Sequence, residues 1–204
     1  MKYIICNLKK HLSDENIKEY LEVTNNIDYD SLILCPAYKY IDDFKKSKHI
    51  ISSQDYYENV NTKYVMINHY ERKNTEEEVI SKLNNINNQN IILCIGNNNL
   101  DDYKNLDKML DLYLNVIKSK NNLIIAYEPY YMIGSHIDVN MTKLNECISH
   151  IKKQYKDIPV VYGGNVNEKN IEEIIKICDG VMIARLSYNP HKLTKIINNI
   201  KNSL

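Results

Sequence analysis

At 204 residues, 44% of them apolar, the chain can bury one substantial core, is short for two ordinary domains, and is too apolar to stay disordered. Lysine plus arginine and aspartate plus glutamate balance at 26 each, leaving no global field to recruit nucleic acid or an acidic membrane surface. No apolar run approaches the roughly 18–20 residues that span a bilayer, and the amino terminus MKYIICNLKK lacks the long apolar region of a secretory signal, so a cytoplasmic protein is expected.

The first predicted strand is Tyr3–Cys6, and Asn7 and Lys9 stand just past its carboxyl end. Ser13-Asp14-Glu15 is a helix-start signal ahead of the second strand, Ser31–Cys35, and a third strand follows at Ile50–Ser53. Between Tyr57 and the fourth strand, Tyr64–Ile67, too few residues remain for a helix and two loops, so the third crossover is expected to be reduced or to lack its helix. His69, Glu71 and Arg72 come after strand four, with Glu71 and Arg72 expected to form a structural ion pair. Thr75 with Glu76–Glu78 then opens another helix.

Strand five is Ile91–Ile95, and the asparagine tracts at 84–90 and 97–99 belong in polar loops and helix ends. Strand six, Leu123–Tyr127, runs into Glu128, a carboxylate inside the run LIIAYEPYY, where it has no reason to be buried unless paired or functional. Val160–Tyr162 leads to Gly163-Gly164-Asn165, either a plain turn or a phosphate-binding nest. Val181–Ala184 leads to Arg185, one of only two arginines, and Asn189-Pro190 starts the last helix.

Eight near-continuous apolar strands alternating with helices are the pattern of a parallel sheet buried on both faces, and eight such units close into a (β/α)8 barrel. The α/β alternative, an open doubly wound sheet, lacks a GxGxxG after the first strand. No linker or repeat divides residues 1–204, so one barrel domain is expected. In such a barrel the reactive groups stand where the βα loops converge, which collects a base (Glu128), a neutral acid (His69), fixed cations and a glycine-bearing loop about one pocket. The five cysteines are scattered without a CxxC pair and read as small core hydrophobes. No metal and no cofactor are expected.

In order, Asn7-Leu8-Lys9, His69-Tyr70-Glu71-Arg72, Cys94-Ile95-Gly96, Ala126-Tyr127-Glu128-Pro129 with Ile133-Gly134, Tyr162-Gly163-Gly164 and Asp179-Gly180 resemble the signature segments of the triosephosphate isomerases. The resemblance implies interconversion of three-carbon sugar phosphates, with Glu128 moving a carbon-bound proton and Lys9 and Asn7 serving the enediolate and substrate oxygen. It implies also a neutral His69 as electrophile, a role for which this family is itself the standing example. Glu71 would support the site. Gly134, Ser135, Gly163, Gly164, Asn165, Ala184 and Arg185 would hold the phosphate. The lid of the resemblance, Tyr130 to His136, lacks a second glycine.

The chain departs from the family pattern at Leu8 and Tyr131 for tryptophan, Tyr70 and Asn165 for serine, and Ala184-Arg185 for Gly-Gly. Arg185 either contributes a phosphate contact or obstructs the site. The shortened third crossover cannot reach a neighbouring subunit, which implies a monomer or a homodimer with a reduced or altered interface. Two further functions remain open on sequence: an isomerase or epimerase of another small phosphate ester, and a retired barrel serving as a binding protein.

Overall fold

A strand whose residues are apolar on both faces must be covered on both, and the eight predicted strands meet that demand by closing on themselves. The computed structural model describes residues 2–99, 102–135 and 137–203; His136, at the end of the expected lid, lies outside them. Parallel strands β1 (Tyr3–Asn7), β2 (Leu32–Cys35), β3 (Ile50–Ser53), β4 (Tyr64–Ile67), β5 (Asn90–Ile95), β6 (Ile124–Tyr127), β7 (Val160–Tyr162) and β8 (Gly180–Ile183) pair in chain order. The barrel is sealed by β8 against β1, with Tyr3 opposite Gly180 and Cys6 opposite Ile183. The (β/α)8 expectation is met.

Side chains alternate between two cores, as the two-residue period of a strand requires. Ile5, Ile33, Met66, Ile92, Cys94, Ile124, Ala126, Val161 and Met182 fill the inside of the barrel. Their neighbours Ile4, Leu34, Ile67, Leu93, Ile125, Tyr127 and Ile183 point outward beneath the helices. These are α1 (Ile17–Thr24), α2 (Ile41–Phe44), α3 (Glu76–Asn85), α4 (Tyr103–Val116), α5 (Met141–Gln154), α6 (Ile171–Ile177) and α7 (Pro190–Ser203). None of the described helices is long and apolar enough to cross a membrane.

The start signals hold with one adjustment. Thr75 makes the full capping box with Glu78 that its spacing predicted, and Asn189 Oδ1 accepts from the Lys192 amide at 3.0 Å at the head of α7. Ser13-Asp14-Glu15, by contrast, lies in a turn, where the Asn16 side chain accepts from the Ser13 amide at 2.8 Å, and α1 begins only at Ile17.

No helix joins β3 to β4; residues 54–63 pass directly from one to the other. Thr62 pins this short return, its hydroxyl accepting from the Ser53 amide (3.2 Å) and donating to the Tyr64 carbonyl (2.7 Å). Gln54 turns inward and donates to the carbonyls of Cys35 (2.9 Å) and Lys9 (3.0 Å), so the shortened crossover still braces the end of β1.

Candidate active site

Residues two beyond an inward-facing strand position also face inward, and this parity delivers most of the site. Asn7 follows Ile5, Glu128 follows Ala126, Gly163 follows Val161 and Ala184 follows Met182. All four line a cavity of about 290 Å³ at the carboxyl end of the barrel, with Lys9, His11, His69, Ile133, Gly134, Gly164, Arg185 and Tyr188. His69 does not follow the parity of β4. Asn68 adopts the left-handed conformation at φ 64°, and its side chain donates to the Cys94 carbonyl at 3.0 Å; that kink turns the next side chain into the cavity.

Glu128 is 1% exposed and is held by two donors: His69 Nδ1 reaches Oε1 at 2.8 Å and the Tyr70 amide reaches Oε2 at 3.2 Å. Behind it, Gly96 allows the chain to pass close. A Cβ there would lie 1.9 Å from the Glu128 carbonyl oxygen. Tyr130, stacked on Tyr70 at 5.0 Å, closes the same side.

On the other side of the imidazole, Asn7 Nδ2 donates to His69 Nε2 at 3.0 Å while Asn7 Oδ1 accepts from the Lys9 amide at 3.2 Å. Burial presses the His69 pKa down, but the charge and hydrogen bond of Glu128, with Glu71 behind it, override burial and lift it to about 9. The Asn7 donor occupies the Nε2 lone pair and so opposes a second ring proton, while carboxylates 2.8 Å and 3.8 Å away favour one. The resemblance implied a neutral His69, and an Nε2 that accepts from Asn7 while Nδ1–H faces Glu128 is that form, with the carboxylates beside the ring raising its basicity.

Lys9 takes a left-handed backbone at φ 48°, unusual for a residue with a side chain, and its Nζ meets Glu71 Oε1 at 2.6 Å. That contact corrects the expected Glu71–Arg72 pair. Glu71 belongs to Lys9, whereas Arg72 Nε faces Asp55 at 3.7 Å and its NH2 donates to the Tyr57 hydroxyl at 3.1 Å. Hydrogen bonding from His69, then Lys9, holds the Glu71 carboxyl down at about 2.

The phosphate candidates divide. Gly163, Gly164, Ala184 and Arg185 face the cavity together with Gly134, whose φ of 71° suits glycine. Ser135 turns its hydroxyl to the Met132 carbonyl at 3.0 Å, within its own loop. Asn165 does not line the cavity but orients a group that does: its Oδ1 accepts from Arg185 NH2 at 3.2 Å, and its Nδ2 donates to the Ile137 carbonyl at 3.0 Å. Arg185 thus reaches the cavity with a neutral amide as its hydrogen-bond partner.

Several residues escaped the sequence reading. Gln54 braces Lys9, and His11 stacks on Tyr188 at 3.8 Å on the β8 side of the cavity. Asn97 accepts from the Tyr127 hydroxyl at 2.8 Å, and its carbonyl takes the Tyr130 amide at 2.9 Å. Cys94 is the larger omission. Read as core packing, and buried as expected, it nonetheless brings its sulfur within 4.8 Å of ligand atoms of both His69 and Glu128. The three residues stand far apart in the sequence, and the fold brings them together. The sequence signal for Cys94 was its place in the segment Cys94-Ile95-Gly96; the in-register pairing of β5 with β6 then sets Cys94 opposite Ala126, one layer below Glu128.

Comparison with known proteins accords with this geometry. The family model described as triosephosphate isomerase matches residues 2–200. The triosephosphate isomerase of Ureaplasma parvum is 28% identical over an alignment 239 positions long, gaps included, covering 98% of this chain and 100% of the relative. That of Campylobacter concisus is 29% identical over 226, covering 97% and 98%. That of Mesomycoplasma hyopneumoniae is 34% identical over 155, covering 70% and 64%. A match across nearly the whole barrel places this chain in the triosephosphate isomerase family.

Proposed function

We propose that the protein interconverts glyceraldehyde 3-phosphate and dihydroxyacetone phosphate. The observation that carries this reading is the Glu128–His69 pair, a buried carboxylate and an imidazole 2.8 Å apart on the wall of a cavity that Arg185 also enters. Glu128 removes the proton from the carbon beside the carbonyl, leaving an enediolate, and returns it to the neighbouring carbon. Electrons and atoms are conserved within the substrate, so no redox partner is required. To reach carbon, Glu128 must turn from His69. The imidazole then loses the carboxylate that lifts its pKa, burial favours its neutral form, and it can polarise the carbonyl and shuttle protons between the two oxygens. Asn7 and Lys9 face the substrate oxygens, with Glu71 holding Lys9 until the anion arrives. Gly134, Gly163, Gly164, Ala184 and Arg185 receive the phosphate, Ser135 shapes the loop around it, and Asn165 aims the guanidinium.

A coupled assay with glyceraldehyde 3-phosphate tests the proposal, with turnover expected in the wild type and absent in Glu128→Gln. Purified wild type without turnover would refute it. Arg185, where the family has glycine, favours one second reading: isomerisation or epimerisation of a different small phosphate ester, revealed by a panel of such esters. The proposal places the enzyme in the cytoplasm as one barrel domain.

A further inference from the structure

Three side chains of different chemistry meet where β4, β5 and β6 end. His69 offers a ring nitrogen, Cys94 a sulfur and Glu128 a carboxylate oxygen; all three residues are buried, and these atoms lie within 4.8 Å of one another. Tetrahedral zinc holds sulfur at about 2.3 Å and nitrogen or oxygen at about 2.0–2.2 Å, which sets its ligand atoms roughly 3.3–3.6 Å apart. His69 and Glu128 are already closer than that, at 2.8 Å, and shifts of about an ångström bring the set to the required spacing. His69 and Glu128 also line the cavity, so an ion has a path in and a fourth position left for water.

We infer that His69, Cys94 and Glu128 form an inhibitory binding site for a thiophilic divalent cation such as Zn2+, mutually exclusive with substrate. The competition rests on the proposed role of Glu128 as the base, whereas the metal site itself does not. An ion held by nitrogen, sulfur and oxygen suits zinc or cadmium and not magnesium or calcium, which prefer all-oxygen shells. Burial, and then the neighbouring Glu128 carboxylate, keep the Cys94 thiol protonated. Metal entry therefore forms a metal–sulfur bond and expels the thiol proton to water, along with any second proton carried by His69. The thiol is not otherwise required by the proposed chemistry.

Two measurements on the full chain test the inference. In the first, Cd2+ is titrated into the wild type and thiolate-to-metal absorption is recorded. One equivalent should develop the band, which His69→Gln and Cys94→Ala should each lose or weaken at least tenfold in affinity. In the second, Zn2+ is added to the isomerase assay, where it should raise KM without lowering kcat and be reversed by a chelator. If Cys94→Ala fails to fold, His69→Gln, which keeps every thiol, carries the absorption test. A wild type with no thiolate band, or a band that survives His69→Gln, overturns the site. A band with no inhibition of an active wild type overturns the competition. A wild type that binds Cd2+ as described yet shows no isomerase turnover leaves the metal site standing and removes the function proposed above.

Discussion

Gly96→Ala separates the demands of catalysis from those of the fold. The added Cβ would stand 1.9 Å from the Glu128 carbonyl oxygen and 2.6 Å from Tyr130 Cε1, where contacts under 3.0 Å are essentially never found. Backbone is the closer obstacle, so a rotamer change in Tyr130 cannot relieve it; the ends of β5 and β6 must separate by about 1 Å. Two hydrogen bonds join them there, from the Glu128 amide to the Ile95 carbonyl (2.7 Å) and from the Tyr130 amide to the Asn97 carbonyl (2.9 Å). Overpacking of this kind costs about 1–3 kcal/mol. A 1 Å displacement of a catalytic group costs about a hundredfold in rate, and the group displaced here is the proposed base. We expect a folded variant with a lowered unfolding midpoint and kcat for glyceraldehyde 3-phosphate reduced about a hundredfold. Circular dichroism melts and the coupled assay read the two effects separately. A variant that melts lower yet keeps kcat within threefold of wild type would show that the close approach positions nothing that matters to the reaction.

Glu128→Asp should fold like the wild type yet lose about a hundredfold or more in turnover, because the carboxylate is withdrawn by one methylene; near-normal kinetics would put the base elsewhere. Arg185→Gly should raise KM for the phosphorylated substrate about ten- to a hundredfold with little change in kcat, the scale of one charge-assisted hydrogen bond. A lower KM together with faster turnover would mean that Arg185 obstructs the site. Thr75→Ala removes a capping-box hydroxyl and should cost about 1 kcal/mol in denaturant unfolding without touching activity. Sedimentation across a dilution series should find a monomer or weak dimer, since residues 54–63 form no projecting arm; a dimer persisting at nanomolar concentration would contradict this.

The site was legible wherever strand parity carries past the end of a strand. Glu128 sits two residues beyond Ala126 and four beyond Ile124, so a period of two predicts that it faces the barrel interior. His69 is odd where Met66 is even, and only the left-handed turn at Asn68 restores it; no propensity rule assigns that conformation to one asparagine in advance. Lys9 and Glu71 are 62 positions apart. Their pairing depends on the shape of two loops, whereas the neighbouring Glu71-Arg72 invited a local pairing that those loops do not make. Cys94 packs in the core as its apolar surroundings predict, and nothing in that burial marks its nearness to His69 and Glu128. What distinguishes it is its height in the barrel, which depends on the stagger between β5 and β6.

The helix-free passage from β3 to β4 also bears on how the barrel assembles. Each parallel pairing needs its intervening chain to close on itself, at a conformational cost that grows by about 0.6 kcal/mol for every doubling of loop length. Residues 54–63 span this seam, whereas a much longer stretch of chain separates β5 from β6. The seam between β3 and β4 is therefore cheap to nucleate. Its ladder is short as well, pairing Ser52 with Tyr64 and Ser53 with Val65, and its outer cover comes from α2 against β3 and α3 against β4 and not from a helix of its own crossover. Amide exchange in the native state should accordingly be faster along the seam of β3 with β4 than along the four-pair seams of β4 with β5 and β5 with β6.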